Sequence, residues 1–95
     1  MRWIWDQRKN RTNLRDHGLS FETAVLTFDD VLAISKLDPA SEEERWLTVG
    51  RVEGVTLLIV HTWPEEDASG EAVGRIISAR KATRHERKAY EEGEF

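Results

Sequence analysis

The run Val55-Thr56-Leu57-Leu58-Ile59-Val60 constrains this chain more than any other stretch of it. It is the longest apolar run, and with its continuation to Trp63 it is β-branched and apolar on both faces of a strand. Such a strand must be covered on both sides, which predicts the centre of a sheet and not its edge. The run is far too short to cross a bilayer.

The flanking sequence supplies neighbours for that strand. Arg45 to Val52 alternates, with Trp46, Thr48, Gly50 and Val52 on one face and Leu47, Val49 and Arg51 on the other. Glu53-Gly54 then gives a tight hairpin. Val31 to Leu37 alternates loosely before the turn opened by Asp38-Pro39, and Val73 to Lys81 reads as the last strand. Pro64 to Gly70 reads as a polar loop.

Helices are marked by their ends. Trp3-Ile4-Trp5 is a short aromatic strand, after which Asp6 caps a helix over Gln7 to about His17, closed by Gly18. Leu14 is its only large aliphatic residue. Lys9, Asn10, Asn13 and His17 recur on one side at three- and four-residue spacing, a polar face unlike a salt-bridged surface. Ser20 caps a second helix to about Phe28, with Phe21, Ala24, Val25 and Phe28 as its buried stripe. Thr83-x-x-Glu86 is a capping box that starts a final helix running to about Glu92, with Gly93 as its stop. The predicted fold is α+β: a small antiparallel sheet with flanking helices, in the order β-α-α-β-β-β-β-α. At 95 residues, 1–95 form a single domain, and four tryptophans are expected to fill much of its core.

The net charge of -4 hides a strong asymmetry. Between Glu22 and Glu71 twelve acids meet only Lys36, Arg45 and Arg51. Met1 to Asp16 and Arg75 to Lys88 hold eleven basic residues against Asp6, Asp16 and Glu86. If the termini fold together, their fields add into one positive face, which suits a phosphate-bearing partner. With no cysteine there are no disulfides and no thiolate metal sites. The start of the chain is interrupted by charge at once and does not read as a signal peptide. A soluble, cytoplasmic protein is expected.

No Gly-rich phosphate loop, zinc helix or nucleophile elbow is present. Glu42-Glu43-Glu44 and Glu65-Glu66-Asp67 read as solvated turns, so no metal and no cofactor are expected. On the last strand, simple alternation sends Arg75, Ile77, Ala79 and Lys81 to one face and Ile76, Ser78 and Arg80 to the other. Arg75 and Arg80 call for partners: a substrate, or a structural acid such as one on the second helix for Arg80. His17, at a helix C-terminus, is either a cap or a working group. His61 reads as a satisfied core or edge histidine, and His85 as solvent-facing. Lys9 is a surface lysine or a phosphate contact. Lysines, arginines and a histidine together suit metal-free RNA cleavage, in which a base activates the 2′-hydroxyl, cations surround the pentacoordinate phosphorus and an acid protonates the leaving 5′-oxygen.

Three blocks, in order, carry a resemblance. They are Trp5-Asp6, Lys9-Asn10, Asn13-Leu14, His17-Gly18 and Ser20-Phe21-Glu22-x-Ala24; then Glu44-Arg45-Trp46 and Gly50; then Arg75 to Ala82 with Glu86 and Tyr90-Glu91. Together they resemble the BrnT toxin family from Trp5 to Glu91. The resemblance implies an endoribonuclease toxin of a type II toxin–antitoxin pair, RelE-like in fold, that cleaves RNA and arrests growth. It implies His17, Lys9, Arg75 and Arg80 as catalytic residues and Lys81, Arg84 and Arg87 as contacts to the RNA backbone. The implied partner is a BrnA-like ribbon-helix-helix antitoxin in a 2:2 heterotetramer, with DNA bound only through the antitoxin. Two other readings stand beside it. One is a non-catalytic module that binds an antitoxin and acts as co-repressor; the other is a small RNA-binding protein.

Overall fold

A computed structural model describes residues 1–95. The elements are β1 (Arg2–Ile4), α1 (Gln7–His17), α2 (Phe21–Ala24) with a 3-10 helix (Val25–Asp29), β2 (Ile34–Leu37), β3 (Trp46–Val52), β4 (Val55–His61), β5 (Glu65–Glu66), β6 (Ala72–Lys81) and α3 (Arg84–Glu92). The fold is α+β, with five strands in the order β1-β6-β4-β3-β2 and the short β5 also pairing with β6.

The doubly apolar strand β4 sits in the middle. Leu57, Ile59 and Ile76 pack with Phe21, Ala24 and Ala79 on one face of the sheet, under α1, α2 and the 3-10 helix. Val49, Leu58 and Tyr90 pack on the opposite face, under α3. Local signals placed the helix ends. Asp6 Oδ1 accepts from the Arg8 and Lys9 amides at 2.7 and 3.3 Å, Ser20 Oγ accepts from Thr23 N, and Thr83 and Glu86 complete the capping box.

Four expectations need correction. The sheet is mixed, because β1 runs parallel to β6, with Arg2, Trp3 and Ile4 opposite Val73, Gly74 and Arg75. A three-residue strand reaching the far edge of a sheet after synthesis of all the others is not a hairpin partner, so no turn fixes it antiparallel. The polar segment after Trp63 contains a further strand, β5, antiparallel to β6. The second helix keeps α geometry for one turn only and tightens to 3-10 over Val25–Asp29. Its β2 neighbour starts at Ile34, leaving Val31 95 % exposed.

The fourth correction concerns the last strand. Val60 pairs with Ser78 but His61 pairs with Ile76, so one extra residue, Ile77, is bulged out of β6. The bulge returns Ile76 and Ala79 to the same face, and both join one core cluster. Arg75 and Arg80, their chain neighbours, therefore share the opposite face, which simple alternation had assigned to them separately.

The candidate nucleic-acid groove

α1 lies along the outer edge of β6, and Asn13 holds it there. Asn13 Nδ2 donates to the carbonyls of Ala79 and Leu19, both at 2.8 Å, while Asn13 Oδ1 accepts from the Ala79 N–H at 3.1 Å. One side-chain amide thus satisfies both backbone groups of an edge residue, as a paired strand would. Asn10, one turn earlier, ties α1 to α2 instead: its Oδ1 accepts from Phe21 N at 2.7 Å and its Nδ2 donates to Glu22 Oε1 at 2.8 Å. Both asparagines are buried. The polar side of α1 is explained by these bonds.

With α1 fixed, its outward residues form a groove against the strand edge. Arg8, Lys9, Thr12, Asp16 and His17 face Ile77 and Ser78 across a concavity of 320 Å³. That edge is open because β1 pairs only with Val73, Gly74 and Arg75. His17 also lines a second hollow of 230 Å³ with Leu57, Val52, Glu53 and Lys81. His17 is therefore the wall shared by both, at the end of α1 where Gly18 turns the chain at φ 66°. Asp16, next to it, is held below the usual carboxylate range by its hydrogen bond from Arg15.

Of the residues anticipated as catalytic, Lys9 and His17 thus share one groove, and Lys81 adjoins it through His17. Arg75 and Arg80 stand on the α3 face of β6. Arg75 is exposed and makes no ion pair; its backbone N–H donates to Thr62 Oγ1 at 2.9 Å. Arg80 is engaged: Nη1 and Nη2 donate to Glu86 Oε1 and Oε2 at 2.8 and 2.9 Å. The partner acid is on the last helix, not the second. The pair pushes the Arg80 pKa up and holds Glu86 below the normal range, chiefly through those hydrogen bonds. Arg84 and Arg87 are exposed on α3.

The ion pairs sharpen the charge asymmetry. Arg2, Arg15, Arg45, Arg51, Arg80 and Lys88 are each bridged to a carboxylate. The cations left without a bridge are Arg8, Lys9 and Arg11 on α1, Arg75 and Lys81 on β6, Arg84 and Arg87 on α3, and Lys36, which lies over the Phe95 ring. All but the last belong to the two terminal segments. Their field is available to a polyanion.

His61 is a satisfied core residue. Its Nδ1–H donates to the Thr62 carbonyl at 2.8 Å, which leaves Nε2 to accept from the Thr48 hydroxyl at 2.5 Å; the Ser35 hydroxyl in turn donates to Thr48 at 2.7 Å. Burial holds its pKa below 6.5, so the ring is neutral. Tyr90, which reads from sequence as simple packing, donates to Asp30 Oδ2 at 2.6 Å and ties α3 to the loop before β2.

The molecule is thus a small α+β protein in which a helix bearing lysine and histidine is pinned to an open strand edge, with unpaired cations on both segments. No group of three His, Asp or Glu side chains converges on one point. Residues 5–86 match the family described as the ribonuclease toxin, BrnT, of type II toxin–antitoxin systems, and the chain belongs to that family. Among curated proteins no sequence matches it. No helix is long and apolar enough to cross a membrane.

Proposed function

We propose that the chain is a metal-independent endoribonuclease whose RNA lies in the groove between α1 and β6, and that a BrnA-like antitoxin neutralises it. The observation that carries this reading is the placement of Lys9 and His17 on one groove wall beside cations that no carboxylate neutralises.

A phosphodiester seated there has its chemistry supplied by this chain's own side chains. One of Lys9 and His17 takes the proton of the 2′-hydroxyl, whose oxygen attacks phosphorus. The P–O5′ bond breaks, and the other residue delivers a proton to the leaving oxygen. The products are a 2′,3′-cyclic phosphate and a free 5′-hydroxyl. Lys81, Arg84 and Arg87 hold the flanking phosphates, and Arg75, on the α3 face of β6, adds its charge to the field at longer range. Arg80 contributes its charge from a guanidinium already committed to Glu86.

The RelE-like likeness in fold, the 2:2 assembly through an antitoxin dimer, DNA contact only through that antitoxin and cytoplasmic action belong to the same reading. One observation favours the rival, a non-catalytic co-repressor: Glu86 holds the Arg80 guanidinium bidentately on the α3 face of β6, away from the groove lining. The deciding experiment is cleavage of a synthetic RNA by the purified chain in excess EDTA, beside Lys9→Ala and His17→Ala. Cleavage by the wild type, lost in both variants, supports the enzyme; intact RNA with folded wild type supports the co-repressor.

A further inference from the structure

Trp63 stands just beyond β4, 51 % exposed, as the wall between two hollows. On one side an aromatic hollow of 290 Å³ is lined by Trp3, Phe28, His61, Trp63, Pro64 and Ser35, with Met1 at its rim. Its walls are fixed: Trp3 stacks on Phe28 at 4.1 Å, and the His61 ring stands edge-on to both at 5.3 and 4.9 Å. The Ser35–Thr48–His61 hydrogen bonds hold the histidine ring in place. On the other side a hollow of 350 Å³ is lined by Glu44, Thr62, Trp63, Glu65 and Val73. Neither Glu44 nor Glu65 is bridged to a cation, in contrast to Asp67 and Glu71, which share Arg2.

The two hollows ask for one kind of occupant. A rigid aromatic socket takes an apolar side chain, and free carboxylates beside an exposed indole take a cation, whose alkyl stem and charge both gain from the ring face. RNA fits poorly, because its phosphates would lie against unpaired carboxylates while unpaired cations wait along α1 and β6. A protein segment fits both halves.

We propose that this paired hollow is the docking face for a protein partner, which seats an apolar or aromatic side chain against Trp3 and Phe28 and an adjacent arginine or lysine against Trp63, Glu44 and Glu65. The proposal rests on the reading of the chain as one half of a toxin–antitoxin pair, in which that partner is the antitoxin. It assigns the antitoxin a basic contact segment, and a face other than the RNA groove.

The test uses the full chain and a random library of short peptides displayed on phage, counter-selected against a Glu44→Lys, Glu65→Lys double variant. Both positions are exposed, so that variant keeps the wild-type unfolding curve. Surviving peptides are expected to place arginine or lysine beside tryptophan, phenylalanine or leucine, and to lose at least tenfold in affinity on Trp63→Ala. Three results overturn the proposal: no sequence distinguishing wild type from the double variant, survivors dominated by acidic residues, or affinity unchanged in Trp63→Ala. A loss of oligouridylate binding in Trp63→Ala also overturns it, and reassigns the face to RNA. Absent RNA cleavage by the wild type would sink the ribonuclease reading alone, since peptide binding is read independently.

Discussion

Asn13 completes the backbone of Ala79. The asparagine amide donates to the alanine carbonyl and accepts from its N–H, across 66 positions of sequence. Removing it leaves two buried backbone groups without partners, each worth about 1–3 kcal/mol. Asn13→Ala is therefore expected to lower unfolding free energy by about 2–6 kcal/mol in urea titration. Because the same bonds aim α1, RNA cleavage at full folded occupancy should fall as well. A variant with wild-type stability would show that the edge needs no such pin.

Lys9 and His17 are exposed and bear no structural bonds of their own side chains, so their replacement separates chemistry from folding. Lys9→Ala and His17→Ala are each expected to lower the cleavage rate by about 10²–10⁴-fold. Their unfolding midpoints should stay within experimental error of wild type. Rate constants under single-turnover conditions, with circular dichroism melts beside them, check both halves.

Arg80 and Glu86 should respond as one unit. Glu86→Gln removes the charge that holds the guanidinium and weakens the capping box, at a cost of about 1–2 kcal/mol. The effect of Arg80→Ala in the Glu86→Gln background should be smaller than in wild type, read as a coupling energy in a double-mutant cycle. Strict additivity would mean that Arg80 acts elsewhere.

His61 gives the fold a pH dependence whose sign follows from its burial. The folded pKa lies below the 6.5 of a free histidine, so the unfolded chain takes up the proton first as pH falls. The His61 contribution to stability is complete above about pH 6.5 and is lost as pH falls through the folded pKa. Urea midpoints measured from about pH 7.5 down to about pH 5.5 should fall, and His61→Gln should flatten that slope. An equal slope in the variant would place the titrating group elsewhere.

Gly74 lies under Trp3, where any Cβ would overlap the indole ring. Gly74→Ala is expected to cost about 1–3 kcal/mol through overpacking. It should also displace Trp3 from Phe28, visible as a change in near-ultraviolet circular dichroism. Gly54→Ala, whose Cβ meets nothing within 4 Å, carries only the strain of its positive φ and leaves the aromatic signal intact.

What could be read from sequence was what chemistry encodes locally. Asp6, Ser20 and Thr83 announce helix starts because their side chains accept from amides two or three residues on, and Glu86 because its side chain reaches back to the Thr83 amide. The doubly apolar β4 announces the sheet centre for the same reason: its demand is written on its own residues. The direction of β1 was not legible, since Arg2–Ile4 is too short to carry a preference and its partner lies at the other end of the chain. Nor was the bulge at Ile77, which alternation cannot detect because the shift arises in pairing with Val60 and His61. Lys9 and His17 stood out as a polar side of α1, yet the asparagines between them proved to be the reason that side is polar. The tryptophans were expected in the core, where Trp63 is instead half exposed and the fully buried large side chains include Phe21, Ile59 and Ile76.

The pairing of β1 and α1 with β6 also orders events at birth. The first strand and first helix are made before the edge they dock on, which is formed by Ala72–Lys81. Until then neither groove wall has its counterpart, and closing so long a loop is slow compared with local folding. A truncated product ending before β6 would carry Lys9 and His17 on a helix with nothing to face. The groove therefore does not exist until Ala72–Lys81 has been made and docked against α1.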